Sequence, residues 1–535
     1  MLLHKNITAL REHNPLLAKR LTWPVSGDHI IEKDGKVGYV LHDTAFPIEL
    51  SVRVLQRIRQ QAPHHQDILL WGCEEGELLD ILLEKHNRVV VWERDPWLLR
   101  RLLNRRNFTP FLESGQLEFL LGADICARRV DLSKRILIAH PFFASLYRLE
   151  KSLIENPHAP VALLCRGELF VQDVAKDLLA KGYAILQWDV ESLSHDEILY
   201  CAMQAHPRLA ISINYRYGLA EIAQRLGFPL CIWEVDPFMD EIRHVEGDVS
   251  YTYIFTFRKE NILAFTKAGF HNVSWLPLAT NPNRCHPKPA TEEEKKRFAT
   301  PVSFVGASLA ESGRHYRKVF EETYARWSGR DDIADLVDEM KEQQATDWSC
   351  FCIRELIQEY VPDFALVMEN AQVSLVSLLG EYVASEKRKA YVQALEEYGI
   401  QVWGDRYWGW SQGYRGRAGH LQEVVDIYRN SDINIDINRI YQPDIVTMRV
   451  FDVIASGGFI LSEYTPELSE LFVVGEEIET YRNLDELREK VKFYLANPDK
   501  RQKFIDAGRK RVLAEHTMHQ RVDTMLQRAG FQRES

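Results

Sequence analysis

No uninterrupted apolar run in this chain approaches the roughly 18 residues of a membrane span. The N-terminus has no apolar core of secretory-signal length. A soluble, cytoplasmic protein with no integral membrane segment is therefore expected. Cysteine is sparse and scattered, eight in 535 residues. Only Cys350 and Cys352 are close, and Cys-Phe-Cys is not the spacing of a zinc knuckle. Reduced thiols fit better than a disulfide framework. Positive charge is in deficit, with 66 Lys and Arg against 77 Asp and Glu and a formal net charge of -11. That balance gives no general attraction to nucleic acid or anionic membrane, although Lys500 to Arg521 is locally basic. The basic-aromatic interleaving of RNA readers is missing, as are a Gly-Lys-Ser/Thr phosphate loop and any Ser-His-Asp or Cys-His set. So is a pair of aspartates flanking one residue. The nearest imitations, Asp432-Ile-Asn434 and Asn434-Ile-Asp436, carry one carboxylate each, so no resident metal is expected.

What is present is a long α/β pattern. At roughly 150 residues per domain the length implies three or four domains. A composition 46% hydrophobic and 27% charged is that of a well-packed protein. Residues 1 to about 65 are mixed. A βαβ unit follows: strand Asp67 to Trp71, turn Gly72-Cys-Glu-Glu-Gly76, a helix, then strand Arg88 to Trp92 ending at Glu93 and Asp95. Strands at 135–139 and 159–165 extend it, giving a first domain at 1–172. A second βα series, 173–290, has strands at 184–188, 209–213, 229–234 and 253–257. Prolines 277, 282, 287 and 289 then mark a domain edge. The third unit, 291–515, opens with Pro301-Val-Ser-Phe-Val-Gly306. It carries a helical stretch at 311–398, too long for one crossover, and resumes as strands at 400–404, 433–437 and 459–461. A last helix, 516–535, is placed to pack on a neighbouring domain. Strands alternating with helices imply mostly parallel sheets: three Rossmann-like units.

Several constellations have chemical meaning. Arg449 and Asp452 are three apart on a helix and share a face. Gly457 and Gly458 permit a tight turn and close ligand approach. Together they suit a nucleotide's phosphates and ribose; the alternative is an ordinary helix-to-strand connection with a surface salt bridge. Gly306 precedes a helix N-terminus, a natural anion pocket, and Arg314 is placed to hold a diphosphate or to pair with Glu311. Arg406 lies in the aromatic run Tyr407-Trp-Gly-Trp410, which offers stacking for a base or filling for a domain seam. Asn434, Asp436 and Asn438 alternate along a strand, which suggests a polar cleft wall. Glu234 and Asp236 end a buried strand, where open α/β sheets bind ligands. They are candidates for a general base or for orienting an acceptor hydroxyl. Asp236 before Pro237 also reads as a helix cap. The Gly72 to Gly76 turn with Glu93 resembles, in degraded form, the first motif of class I methyltransferases, with His140-Pro-Phe-Phe143 as the nearest relic of a catalytic segment. The rival functions are accordingly an S-adenosylmethionine-dependent methyltransferase and a non-catalytic glycan- or protein-binding assembly factor.

From about residue 200 onward the chain resembles the CgeB-like glycosyltransferases. The likeness rests on Phe270-His-Asn-Val-Ser-Trp-Leu-Pro-Leu-Ala279, Pro301 to Gly306, Asn434-Ile-Asp-Ile-Asn438 and Arg449 to Leu461. It continues through Phe472-Val-Val-Gly-Glu-Glu477, Tyr481 and Ala507 to Leu513 with His516-Thr517. The resemblance implies a GT-B pair, 173–290 on the acceptor side and 291–515 on the donor side, around an interdomain cleft. It implies a nucleotide-sugar donor, UDP-linked by preference, and no tightly bound cofactor. Arg449 would then lie near phosphate and Asp452 near ribose, with Gly457 and Gly458 beside the donor. Asp452 stands where many relatives carry glutamate, which shortens its reach. The acceptor would be a protein or glycan hydroxyl, with bacterial flagellin Ser/Thr one match, and the first domain would present it.

Overall fold

A computed structural model describes residues 2–25, 29–33, 36–41, 44–73, 75–167, 169–236, 242–370, 374–419 and 422–531. Glu74 and Pro237 lie outside them. Near the N-terminus β1 (Ile30–Lys33), β2 (Lys36–Leu41) and β3 (Thr44–Pro47) form an antiparallel meander. The first parallel sheet contains β4 (Asp67–Trp71), β5 (Arg88–Glu93), β6 (Leu117–Leu121) and β7 (Ile136–Ala139), in the order β6-β5-β4-β7.

The second sheet contains β8 (Val161–Cys165), β9 (Ala184–Trp188), β10 (Leu209–Ile213), β11 (Leu230–Glu234), β12 (Thr252–Thr256) and β13 (Asn272–Trp275). Its order is β13-β12-β11-β10-β8-β9. Strands such as Leu-Ala-Ile-Ser-Ile and Leu-Cys-Ile-Trp-Glu are buried along their whole length, as expected for a parallel sheet covered on both faces. The strand expected to extend the first sheet, 159–165, is β8 of this one. It pairs with β9 and β10 and so belongs to the second sheet. A fully apolar strand does not reveal its neighbours. The crossover helix α1 (Val171–Ala180), which ties β8 to β9, does so.

The third sheet contains β14 (Thr300–Val305), β15 (Ile400–Trp403), β16 (Ser431–Ile435), β17 (Ile460–Glu463) and β18 (Glu479–Tyr481), in the order β15-β14-β16-β17-β18. Between β14 and β15 runs a five-helix excursion from α2 (Ala310–Ser328) to α3 (Leu375–Ala394). It has its own core, including Phe320, Val337, Met340, Ile357, Phe364 and Leu379. The helix α4 (Met448–Ala455) joins β16 to β17, and α5 (Met518–Arg528) is the last helix among the described residues.

The units are joined by contacts of different kinds. Arg20, wholly buried, reaches Asp124 at 2.6 Å and Glu197 at 2.5 Å, tying the first unit to the second. The last helix leaves the third unit and lies on α1. It buries Met518, Val522 and Met525, and Lys181 pairs with Asp523 at 2.6 Å. Arg521 donates to the carbonyls of Pro277 and Leu278 at 2.6 and 2.9 Å. One hydrophobic cluster contains Trp233 and Phe255 of the second unit with Val450 and Phe451 of the third. Arg258, just past β12, pairs with Asp444, past β16, at 2.7 Å. The carboxyl ends of the two sheets therefore face each other across a cleft, a GT-B-type arrangement.

Candidate functional site

In the third sheet β15 lies on one side of β14 and β16 on the other. The connections after β14 and β16 leave in opposite directions and open a crevice at the strands' carboxyl ends, the switch point where such sheets bind ligands. Four cationic side chains gather there. Arg449 donates through Nε and Nη2 to Val305 O at 3.0 and 2.7 Å and pairs with Asp436. Arg388, on α3, donates to Ala307 O at 2.7 Å and Ile437 O at 3.2 Å. Arg439 lies 3.4 Å from Glu381, and Lys387 pairs with Glu463 at 2.5 Å.

Among these, Arg388 stands apart. It is 8% exposed, and among the described residues no carboxylate is within ion-pair reach of it. Its Nε is buried without a hydrogen-bond partner. Burial, with Arg449 and Arg439 nearby, pushes its pKa down to about 9. A buried cation crowded by like charge is costly unless an anion joins it. Ala307, whose carbonyl Arg388 holds, leads into the N-terminal turn of the 19-residue helix α2, whose dipole favours negative charge. Asp405 accepts from Ser308 N at 2.6 Å and Ser308 Oγ at 2.7 Å, fixing the loop that enters the helix.

The residues expected at this site are dispersed. Gly306 is in place: a Cβ there would sit 3.0 Å from Arg449 Nη2 and 2.9 Å from Phe304 Cζ. Arg314 and Arg406 are on the rim. The Arg314 guanidinium stacks 4.6 Å over the Tyr407 ring, beside a cavity of about 500 Å³ between α2 and α3. Arg406 donates to Tyr407 Oη at 2.9 Å. Arg449 is at the crevice but is engaged internally. Asp452, expected to share its face, points the other way and accepts from Thr280 Oγ1 of the interdomain linker at 2.6 Å. Burial raises its pKa. Gly457 and Gly458 precede β17 and so lie at the opposite edge of the sheet. A Cβ on Gly457 would meet Pro287 at 3.1 Å, and one on Gly458 would meet Tyr428 O at 2.7 Å. Their observed contacts are packing contacts. Asn434, Asp436 and Asn438 are likewise a buried ladder and not a cleft wall. Asn434 joins Ser303 to the carbonyls of Tyr428 and Phe459. Asp436 takes Thr447 at 2.9 Å and Ser462 at 3.2 Å. Only the carboxyl end of that ladder reaches the crevice.

On the facing edge, Glu234 ends β11 and accepts the N–H of Tyr215. Burial first, then the nearby Asp236 charge, raises its pKa to about 8. Asp236 is exposed and accepts from Asn214 Nδ2 at 2.7 Å. Arg388, Arg439 and Asn214 carry no local signal in the sequence. Arg388 sits in a long helix at a position indistinguishable from a surface charge, and only the fold carries it inward.

The methyltransferase-like turn of the first unit is filled. Gly72 has φ +82°, and a Cβ there would lie 2.4 Å from Phe143 Cβ. Glu93, fully buried, accepts from Cys73 N at 2.8 Å, Asp95 N at 3.0 Å and the Tyr147 hydroxyl. Phe143 thus packs against the turn, and Glu93 is engaged within the chain. A grouping with metal-ligand geometry, Asp177, His519 and Asp523, lies at the α1–α5 seam, where Lys181 Nζ already sits 2.6 Å from Asp523.

Residues 387–527 match the sequence model of a family described as glycosyl transferase-like. No curated protein matches the chain. Among solved structures it is similar to a glycosyltransferase from Rickettsia africae ESF-5, 12% identical with a TM-score of 0.41, over 71% of this chain and 100% of that one. It is also similar to HepE of Anabaena in complex with UDP-glucose, 11% identical with a TM-score of 0.38, over 70% and 98%. A third likeness is to sucrose-phosphate synthase from Thermosynechococcus elongatus, 11% identical with a TM-score of 0.37, over 69% and 98%. The family match is confined to residues 387–527, and the two facing sheets are consistent with a two-domain GT-B arrangement.

Proposed function

We propose that the chain moves a sugar from a nucleoside diphosphate, UDP by preference, to a hydroxyl acceptor. The observation that carries this reading is Arg388, a buried arginine without a carboxylate partner among the described residues, at the switch point of the third sheet. A diphosphate seated between the β14 and β16 loops would supply the missing anion, with the α2 N-terminus and Arg439 around it. Arg449 would act by holding Val305 and Asp436 in place. As the C1–O bond to phosphate breaks, negative charge grows on the leaving diphosphate, and these fixed donors stabilise it. The acceptor oxygen forms the new bond to C1 and gives its proton to a carboxylate. Burial raises the Glu234 pKa to about 8, whereas Asp236 is exposed, so Asp236 is the preferred acceptor-side carboxylate. Closure of the cleft would exclude water and align the two substrates.

The finer reading follows the CgeB-like resemblance: a protein or glycan acceptor, with Ser/Thr of a bacterial surface protein such as flagellin one instance, in the cytoplasm. The first unit would recognise it. A methyltransferase reading is disfavoured by the Phe143 plug. Calorimetry with UDP, GDP, CMP and S-adenosylmethionine separates the alternatives. UDP should bind, and Arg388→Met, which keeps the aliphatic stem, should weaken it about 10- to 100-fold, as loss of a charge-assisted hydrogen bond does. Binding of S-adenosylmethionine alone, or UDP affinity untouched by Arg388→Met, would overturn the reading.

A further inference from the structure

The loop leaving β10 holds a residue in an uncommon backbone conformation. Asn214 has φ 63°, in the left-handed region that asparagine enters more readily than most residues. All its polar groups are engaged. Its N–H donates to Trp233 O at 2.9 Å, and its carbonyl accepts from Ser212 Oγ at 2.9 Å. Its side-chain Oδ1 accepts the N–H of Val235 at 2.9 Å and that of Asp236 at 3.3 Å. Its Nδ2 donates to Asp236 Oδ2 at 2.7 Å. The amide thus grips both the backbone and the carboxylate of the same neighbour.

Packing explains only half of this. The N–H groups of Val235 and Asp236 end a buried strand and need an acceptor, which Oδ1 provides. The Asp236 carboxylate is exposed and would be hydrated without help, so the Nδ2 bond adds little stability. What it does is orient. It fixes Oδ2 and leaves Oδ1 to receive a proton. The place is also apt. Glu234 pairs in register with Thr256 at the carboxyl ends of the two strands, and Arg258, two residues past that end, bridges to Asp444 of the facing unit. A non-glycine residue held in a sparsely populated conformation by this many bonds often marks a site where geometry serves function.

We propose that Asn214 is a positioning residue for sugar transfer: a side-chain amide clamp that aims the Asp236 carboxylate at the acceptor hydroxyl across the cleft. The inference rests on the reading of Asp236 as the acceptor-side base.

Two variants of the full chain test it, with UDP-glucose as the probe donor. Asn214→Gly accepts the backbone conformation and removes the amide. Asn214→Asp keeps the acceptor for both N–H groups but replaces the donor with a second carboxylate. Release of UDP from UDP-glucose should fall at least tenfold in kcat for both, with the Kd for UDP within twofold of the parent. The Asn214→Asp deficit should narrow as pH falls, because a shared proton restores a donor between the two carboxylates. Unchanged kcat in both variants would overturn the clamp. So would loss of UDP affinity in step with kcat, which marks mere structural damage. If the parent chain neither binds UDP nor consumes UDP-glucose, the donor reading itself has failed. The clamp is then read from the Asp236 carboxyl-carbon resonance, which must shift in Asn214→Gly; an unmoved resonance would overturn it.

Discussion

Phe143 packs into the space that a glycine turn leaves open, and this one contact decides what the first unit can do. Gly72 has no Cβ and a positive φ, both of which an adenosine-binding turn would exploit. Here the close approach is made by an aromatic ring of the same chain. Phe143 is fully buried, so Phe143→Ala should cost about 3–5 kcal/mol, as large-to-small core substitutions do, read from urea midpoints. S-adenosylmethionine should produce no thermal shift in the parent. Stabilisation by it would show that the ring swings out and that the turn is a site. A second residue-scale test concerns Asp452. Its buried carboxylate takes a hydrogen bond from Thr280, so Thr280→Val should destabilise by about 1–3 kcal/mol, the cost of stranding a buried polar group. UDP affinity should stay unchanged. A loss of UDP binding with no loss of stability would return Asp452 to the donor site.

Single elements explain what was legible in the sequence and what was not. The strands of the second and third sheets were readable because fully buried parallel strands are short apolar runs bounded by turn residues. The long helical excursion was readable from its length. The edge strands β13 and β18 and the meander of β1 to β3 were not: β18 has only three residues, β13 is half-buried throughout, and the meander is mixed in pattern. Sheet membership of β8 was hidden because periodicity carries no partner information. The site was half legible. Asp236, Glu234 and Gly306 end apolar strands, and strand ends are where α/β sheets bind ligands. Arg388 and Asn214 act through distant partners, so spacing along the chain says nothing of them. The last helix offers the element-scale prediction. Met525 is buried where α5 lies on α1, so Met525→Ala should cost about 2–5 kcal/mol. If the helix couples the two units, the unfolding midpoint should fall equally by tryptophan fluorescence and by circular dichroism. Separation of the two curves would show that the units unfold independently.

At the scale of the whole molecule, opposed titrations determine how stability follows pH. Burial raises Glu93 to about 7 and Glu234 to about 8 from an ordinary 4.5. A carboxyl raised in the folded state holds a proton that the unfolded chain has lost. Its contribution is full below about pH 4.5 and disappears as pH rises through the folded value. Burial lowers His140 and His516 to about 4 from 6.5. These rings stay neutral in the fold while the unfolded chain takes up protons, so their contribution is full above 6.5 and disappears as pH falls toward 4. Between about 4.5 and 6.5 the two pairs pull in opposite directions and largely offset one another. From 6.5 to 8 these histidines are silent, and burial of Glu93 and Glu234 works against the fold as pH rises. Stability should therefore decline across that interval, at up to about 1.4 kcal/mol per pH unit for each group still protonated in the fold. Glu234→Gln keeps the shape and cannot ionise. The difference in unfolding free energy between parent and variant should be nearly constant below pH 4.5 and shift in the variant's favour by pH 8. A flat difference curve would mean that Glu234 is ionised in the folded protein at neutral pH. It would then compete with Asp236 for the acceptor proton, and the choice between the two carboxylates would have to be made again.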